Sequence, residues 1–441
     1  MPNTKSPPLS ELTGRQIQWI VGGAAMTLAT MPGQTTFIAQ FNSSLREAFG
    51  LSHGQFGGLY TVATMASAFS LVFAGVLADK LPARMLAVGS MLGLAATALV
   101  MAGLTHVAIL VVALAALRFF GQGMLVHIAM TTMARWFNRF RGRALSFAAL
   151  GFTIGEAVLP FTVTIAILAF GWRNVWLGTA AMLLLVMVPL IWFLLRDPPD
   201  GKRAKASGAI NPDGPADVRP TGTQWTRGAV LRDPLFYAII PGIMAPPAIG
   251  TLFIFHQAHL AELKGWDLTV FTAFFPFLSG TVALASVFAG FLVDRFGAWR
   301  LMPVVLLPLG AAALLIGTLS PHWAIPVIFI SLGLTQGMMN PIVGALWVEM
   351  YGNAHIGAIR ALATAALVAA SALGPGVAGM LIDLGIELDV QAFGYMAYCL
   401  AGAAMYLLLR GRFGKRASEI SGGAVGKDPA WPDAAEGHAG E

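Results

Sequence analysis

Apolar runs of helical length dominate this chain. A helix rising 1.5 Å per residue needs roughly 20 residues to cross a hydrocarbon core of ~30 Å. Twelve runs meet that need: 17–41, 54–77, 84–105, 107–134, 144–170, 174–195, 234–257, 268–292, 299–318, 323–348, 359–382 and 392–410. Composition agrees, since only 11% of the 441 residues are charged and 57% are hydrophobic, whereas soluble proteins carry about 25% charged residues. A cytosolic enzyme and a disordered chain are both excluded. The single cysteine, Cys399, excludes a disulfide framework and a Cys-based zinc site. The first run is too long and too weakly flanked for a cleavable signal peptide. The expected class is an all-α membrane protein.

Charge gives the orientation. Of the 27 Lys and Arg, Arg46, Arg173 and Lys264 fall on one side and Arg118 within the membrane. All the others collect on the opposite side if both termini lie together, which makes that side cytoplasmic by the positive-inside rule. The net charge of +6 is therefore a topology signal, and no nucleic-acid partner is expected. The expected organisation is a cytoplasmic tail (1–16), a six-helix bundle (17–195), a polar cytoplasmic loop (196–233), a second six-helix bundle (234–410) and a disordered cytoplasmic tail (411–441). Pro or Gly interrupts several runs, as in Met31-Pro32-Gly33-Gln34 and Ala245-Pro246-Pro247. Breaks of that kind survive in lipid only where protein or a water-filled cavity covers the freed backbone groups.

The two halves repeat one another. Gly75-Val-Leu-Ala-Asp79-Lys80 returns as Gly290-Phe-Leu-Val-Asp294-Arg295, and Pro160 as Pro375, both offset by 215 positions. Gln122-Gly123-Met124 returns as Gln336-Gly337-Met338, offset by 214. Six spans duplicated in parallel are a mark of secondary transporters, whose sites lie near the midplane between repeats.

Gly75 to Arg84 and Gly290 to Arg300 resemble the loop signature of the major facilitator superfamily, a Gly-x-Leu-x-Asp-Arg/Lys pattern followed by a basic residue. The second copy keeps a later glycine, Gly297, where the first has Pro82. The resemblance implies twelve helices in two bundles and alternating access. It also implies a gating role for this cluster, here Asp79, Arg84, Asp294, Arg295 and Arg300. A narrower stretch is similar to the monocarboxylate and oxalate/formate branch. It comprises Arg118-Phe-Phe-Gly-Gln-Gly123, Arg135 to Arg143, Gly151-x-x-x-Gly155 and Gly171-Trp172-Arg173.

Two ionisable residues lie deep inside the runs. Arg118 is 11 residues into its run and Glu156 is 12 into the next, depths of ~16 and ~18 Å on antiparallel neighbours. A lone charge at that depth costs ~2.5–3.5 kcal/mol on insertion scales, so an inward-facing Arg118–Glu156 pair or near-pair is expected. In the functional reading Arg118 anchors an anion bidentately and Glu156 carries a proton. The bland reading is a static pair joining two helices.

Gln122, four residues beyond Arg118, shares its helix face. Gln34, Thr35 and Gln40 in the first run find loose counterparts in Thr251, His256 and Gln257 of the seventh, and Asn340 stands beside Pro341 in the tenth. Gln34, Thr35, Gln122, Thr251, His256, Gln257 and Asn340 are the further substrate-contact candidates, with His256 also a candidate for the gate. His127 and the Phe271–Phe277 aromatics read as packing.

The chain has no Gly-x-x-x-x-Gly-Lys-Ser/Thr phosphate loop, no His-Glu-x-x-His and no Gly-x-Ser-x-Gly elbow. No enzyme activity, cofactor or metal is therefore expected. The expected function is proton-coupled uptake of a small organic anion across a bacterial-type inner membrane, by a monomer. The alternatives are a neutral planar metabolite or vitamin, export, or a transporter-like sensor that binds without translocating.

Overall fold

The computed structural model describes residues 12–137, 140–196 and 223–421, apart from the side chains of Asp79 and Arg141. Eleven helices among them are long and apolar enough to cross a bilayer. They are α2 (His53–Ala74), α3 (Ala83–Ala102), α4 (Val107–Trp136), α5 (Gly142–Phe170), α6 (Trp172–Leu194), α7 (Pro234–Phe255), α8 (Leu268–Phe296), α9 (Ala298–Thr318), α10 (Ala324–Tyr351), α11 (Ile356–Asp383) and α12 (Leu388–Leu408). The first span is the exception. Its helix α1 (Gly14–Ala29) stops at Thr30, and a 3₁₀ turn over Met31–Gly33 leads into short helical pieces up to Phe49. A final helix, α13 (Arg410–Ile420), follows α12. Most of the central loop (197–222) and the end of the tail (422–441) lie outside the described residues.

Local chemistry explains the helix starts. Thr13 with Gln16 and Ser52 with Gln55 form reciprocal capping boxes on α1 and α2. Asp233 caps α7 with Pro234 at its first position. The Pro32-Gly33 break forms as expected, but α7 runs unbroken through Pro241, Pro246 and Pro247. Its neighbour α12 supports it there. Tyr406 and Tyr398 donate to the carbonyls of Ile239 and Pro241 at 2.6 and 2.9 Å, the kind of partner that lets a Pro-rich helix persist in lipid.

Each half has its own core. One cluster holds side chains of the first six spans plus Phe255, and the other holds the last six plus Ala39. Outward-facing apolar residues such as Phe69, Val72, Leu168, Leu284 and Leu408 remain exposed, as a lipid-facing perimeter requires. The protein is an all-α, multi-pass membrane protein of two six-helix lobes.

Among the described residues, the hydrogen bonds between lobes lie in the half of the molecule away from the termini. Asn42 donates to the Phe255 carbonyl at 2.8 Å, and Thr61 to the Ala372 carbonyl at 2.7 Å. Asp383, the last residue of α11, accepts from Ser52 Oγ (2.6 Å), His53 N (3.1 Å) and Gly54 N (2.9 Å) at the start of α2. Small residues permit this approach, since a Cβ on Gly57 would sit 3.0 Å from the Gly376 Cα. Phe56 and Tyr60 pack on Phe255 at the same end.

Candidate substrate cavity

Between the lobes lies a cavity of about 480 Å³, within the range of small-molecule sites. The first lobe lines it with Gln34, Thr35, Thr36, Gln122 and Glu156. The second contributes Thr251, Gln336, Asn340, Arg360 and Ser371. Its wall continues to Trp347 and Arg360, near the ends of α10 and α11 on the face where Trp225 N donates to the Tyr351 carbonyl at 3.1 Å. The cavity therefore extends towards the face that carries the linker and termini, while the lobes are joined at the other.

The break in the first span sets one wall. Gln34 and Thr35 follow the 3₁₀ turn and bring their side chains to the cavity. Gly33 packs against Gly121 of α4 so closely that a Cβ on Gly33 would lie 2.8 Å from the Gly121 Cα. At this crossing α4 itself widens into a π-helical stretch, Arg118–Leu125, a distortion that often accompanies function. Across the cavity, Asn340 precedes Pro341 within α10.

Arg118 departs from the expected arrangement. It makes no ion pair with Glu156 and does not line the cavity. The side chain, 2% exposed, donates from Nη1 to the Gly33 carbonyl and to Thr35 Oγ1, both at 3.2 Å. Its guanidinium carbon lies 5.3 Å from the centre of the Tyr60 ring, and Tyr60 OH shares a 2.6 Å hydrogen bond with Thr35. A carbonyl at the helix break, a hydroxyl and an aromatic face thus take the place of the carboxylate. The widened turn of α4 changes the rotation per residue, so α-helical spacing no longer decides which side chains share a face. Gln122 reaches the cavity and Arg118 does not.

Glu156 does reach it. The preceding Gly155 packs on Met31 and Leu28, and Gly151 on Thr27, which seats α5 against α1. Glu156 is 9% exposed and has neither a hydrogen-bond nor an ion-pair partner among the described residues.

Of the other predicted contacts, Gln34, Thr35, Gln122, Thr251 and Asn340 all line the cavity. His256 and Gln257 do not. His256 donates from Nε2 to the Pro375 carbonyl at 2.9 Å at the lobe junction, and Gln257 is fully buried with both amide atoms unpartnered. Gln40 is also buried, accepting from Thr164 at 2.8 Å. Sequence reasoning missed Gln336, although it is the repeat mate of Gln122. It also missed Arg360, which the charge pattern had counted only as a cytoplasmic-side charge.

The predicted gating residues stay within their own lobes where their contacts are described. Arg84 stacks over Trp192 at 3.5 Å. Arg300 donates to the Phe296 carbonyl at 3.0 Å, Arg295 lies 5.3 Å from the Phe296 ring, and Asp294 is exposed. The side chain of Asp79 lies outside the described residues. In the second lobe the start of α9 is held by Glu349, which accepts from Ala298 N and Trp299 N at 2.8 and 3.0 Å.

Residues 23–375 and 250–432 match the family described as the Major Facilitator Superfamily. The chain belongs to that superfamily. A relative from Aspergillus flavus, described as MFS transporter asaE, is 24% identical over 196 residues, 44% of this chain and 40% of its own length. The chain thus spans well under half of that fungal protein. Among solved structures, a bacterial homolog of the human lysosomal transporter Spinster, inward-facing and unoccupied, aligns with a TM-score of 0.68 and 14% identity. The alignment covers 92% of this chain and 99% of that one. The nucleoside transporter NupG aligns at 0.64 with 14% identity, covering 92% and 99%. At that identity the likeness concerns the fold. In this superfamily member the lobes are joined in one half and a cavity lies between them.

Proposed function

We propose that this chain is a secondary transporter that takes up a small organic anion together with a proton, by alternating access with both termini in the cytoplasm. The observation that carries the reading is Glu156, an unpartnered carboxyl in the wall of a polar cavity between the lobes. With the Lys and Arg bias setting the orientation, the cavity faces the cytoplasm and the Asp383 junction faces outward.

The charges around the cavity favour an anion. Arg118 has no carboxylate partner among the described residues, and its hydrogen-bond partner Thr35 is part of the wall. Arg360 adds a second guanidinium nearer the mouth. A carboxylate near Thr35 gains from the Arg118 charge without stripping it of its own contacts, and that gain is larger once Glu156 is protonated. Substrate and proton therefore bind together and leave together, with no net charge moved. This fits the sequence likeness to the monocarboxylate branch. A neutral polar substrate is the second reading, favoured by the amides of Gln34, Gln122, Gln336 and Asn340.

The test is a proteoliposome screen of short monocarboxylates with and without a pH gradient, repeated with Glu156→Gln. The variant is expected to lose gradient-driven accumulation and keep counterflow, because exchange needs no net proton release. Normal accumulation by Glu156→Gln refutes the coupling role. Saturable binding with no accumulation in the unmodified protein points to a sensor instead.

A further inference from the structure

The junction at the face away from the termini holds three histidines that the cavity does not use. His53 is the first residue of α2, His256 follows α7, and His259 lies on the short helix Gln257–Lys264. The His53 ring centre is 4.2 Å from that of His259 and 5.7 Å from that of His256. One ring belongs to the first lobe and two to the second, so the stack straddles the seam.

Their hydrogen bonds fix where a proton can go. A carbonyl only accepts, so the contact to Pro375 places the His256 proton on Nε2. Nδ1 is then a bare lone pair, and it has no partner although the residue is 1% exposed. His53 Nδ1 is likewise buried and unpartnered. His259 Nε2 lies 2.7 Å from Glu387 Oε2. The other charged groups facing the cluster are Arg46, on the short helix Asn42–Phe49, with Glu262 and Asp383. Lys264 pairs with Asp389 at 3.8 Å at its edge. Arg46 shares the first lobe with His53, and its Nε is also unpartnered.

We propose that His53, His256 and His259 form a proton-binding site, separate from Glu156, whose occupation releases the lobe junction at this face. A proton on His53 or His256 sets a like charge against Arg46 or a protonated His259 at the seam, where partial burial weakens screening by water. His53 is also the residue whose main-chain N–H donates to Asp383, so displacing its ring pulls on that latch. Histidine is the side chain whose free form changes charge between pH 5 and 8. In the closed junction burial lowers the His256 pKa to about 4, so a proton binds more tightly once the junction opens and acid favours the open state. The inference stands on the junction geometry and does not need Glu156.

The experiment uses the full chain in nanodiscs, with Cys399→Ala as background and spin labels on Ala48→Cys and Leu384→Cys, at exposed positions on either side of the seam. Pulsed dipolar spectroscopy at pH 8 is expected to give a short distance, with a longer population growing towards pH 5 and a midpoint below the free imidazole value of ~6.5. His256→Gln and, separately, His259→Gln are expected to move that midpoint down by about one pH unit or more, at least a tenfold loss of proton affinity. Glu156→Gln is expected to leave it unchanged. A distance distribution that does not vary with pH overturns the proposal. So does an unchanged response in both histidine variants, or its loss in Glu156→Gln.

Discussion

Asp383→Ala tests the latch between the lobes. The carboxylate accepts three hydrogen bonds from the opposite lobe, from Ser52 Oγ and from the amides of His53 and Gly54. A charged hydrogen bond contributes about 1.5–3 kcal/mol when well shielded. Asp383 is solvent-exposed, so screening reduces each one towards the lower end of ordinary bonds, about 0.5 kcal/mol. The three together, with the helix-start dipole, give about 1.5–2.5 kcal/mol. The α2 cap survives, because Ser52 still accepts from Gln55 N at 3.1 Å. Most of the loss therefore falls on the state in which this face is closed. A shift of 1.5–2.5 kcal/mol is roughly 10- to 70-fold in the ratio of closed to open. The assay is the rate of maleimide labelling of Thr61→Cys in the Cys399→Ala background, since Thr61 lies at the seam against Ala372. Asp383→Ala in an otherwise identical protein should raise that rate about tenfold or more, with Asp383→Asn in between. An unchanged rate in a well-folded Asp383→Ala refutes the reasoning, and means that the Phe56, Tyr60 and Phe255 packing closes this face unaided.

Three other outcomes are expected. Gly33→Ala places a methyl 2.8 Å from the Gly121 Cα and 2.9 Å from the Gln122 amide, where only backbone could yield. It should destabilise the fold by about 1–3 kcal/mol, read as a lowered melting temperature in detergent, and an unaltered melt contradicts the crossing. Arg360→Gln should weaken an anionic substrate about fivefold, the ~1 kcal/mol of an exposed charge contact, and leave neutral solutes alone; equal losses in competition assays count against the anion reading. Asp267 accepts from the amides of Val270 and Thr269, which hold its carboxyl below the usual range. A depressed value means that its contribution is present above its unfolded pKa of ~3.9 and is lost as pH falls through the folded one. Hydrogen exchange at 268–273 should therefore be faster in Asp267→Ala than in the native protein at neutral pH, and should converge with it in strong acid.

The lobes and their helices were legible because lipid enforces them. Runs long enough to span have few alternatives, and the 215-residue echo reports the duplication. Most of the cavity was legible for the same reason, since Gln34, Thr35, Gln122, Glu156, Thr251 and Asn340 are polar groups within apolar runs. Azimuth was not. Depth along a helix places Arg118 and Glu156 at one level, but the widened turn in α4 and the open carbonyl at Gly33 decide where the guanidinium points. The Asp383 latch was hidden because two of its three donors are main-chain amides, and its acid looks like any solvated helix end.

Because each lobe packs around its own centre, meeting the other where α2 lies against α11 and α5 against α8, robustness and switching are physically separable here. Substitutions deep in either bundle can raise or lower the melting point while leaving the balance between open and shut untouched. Changes around Ser52, Gly57 and Asp383 can do the reverse. Selection on this chain could thus tune how readily it rocks without first rebuilding what keeps it folded.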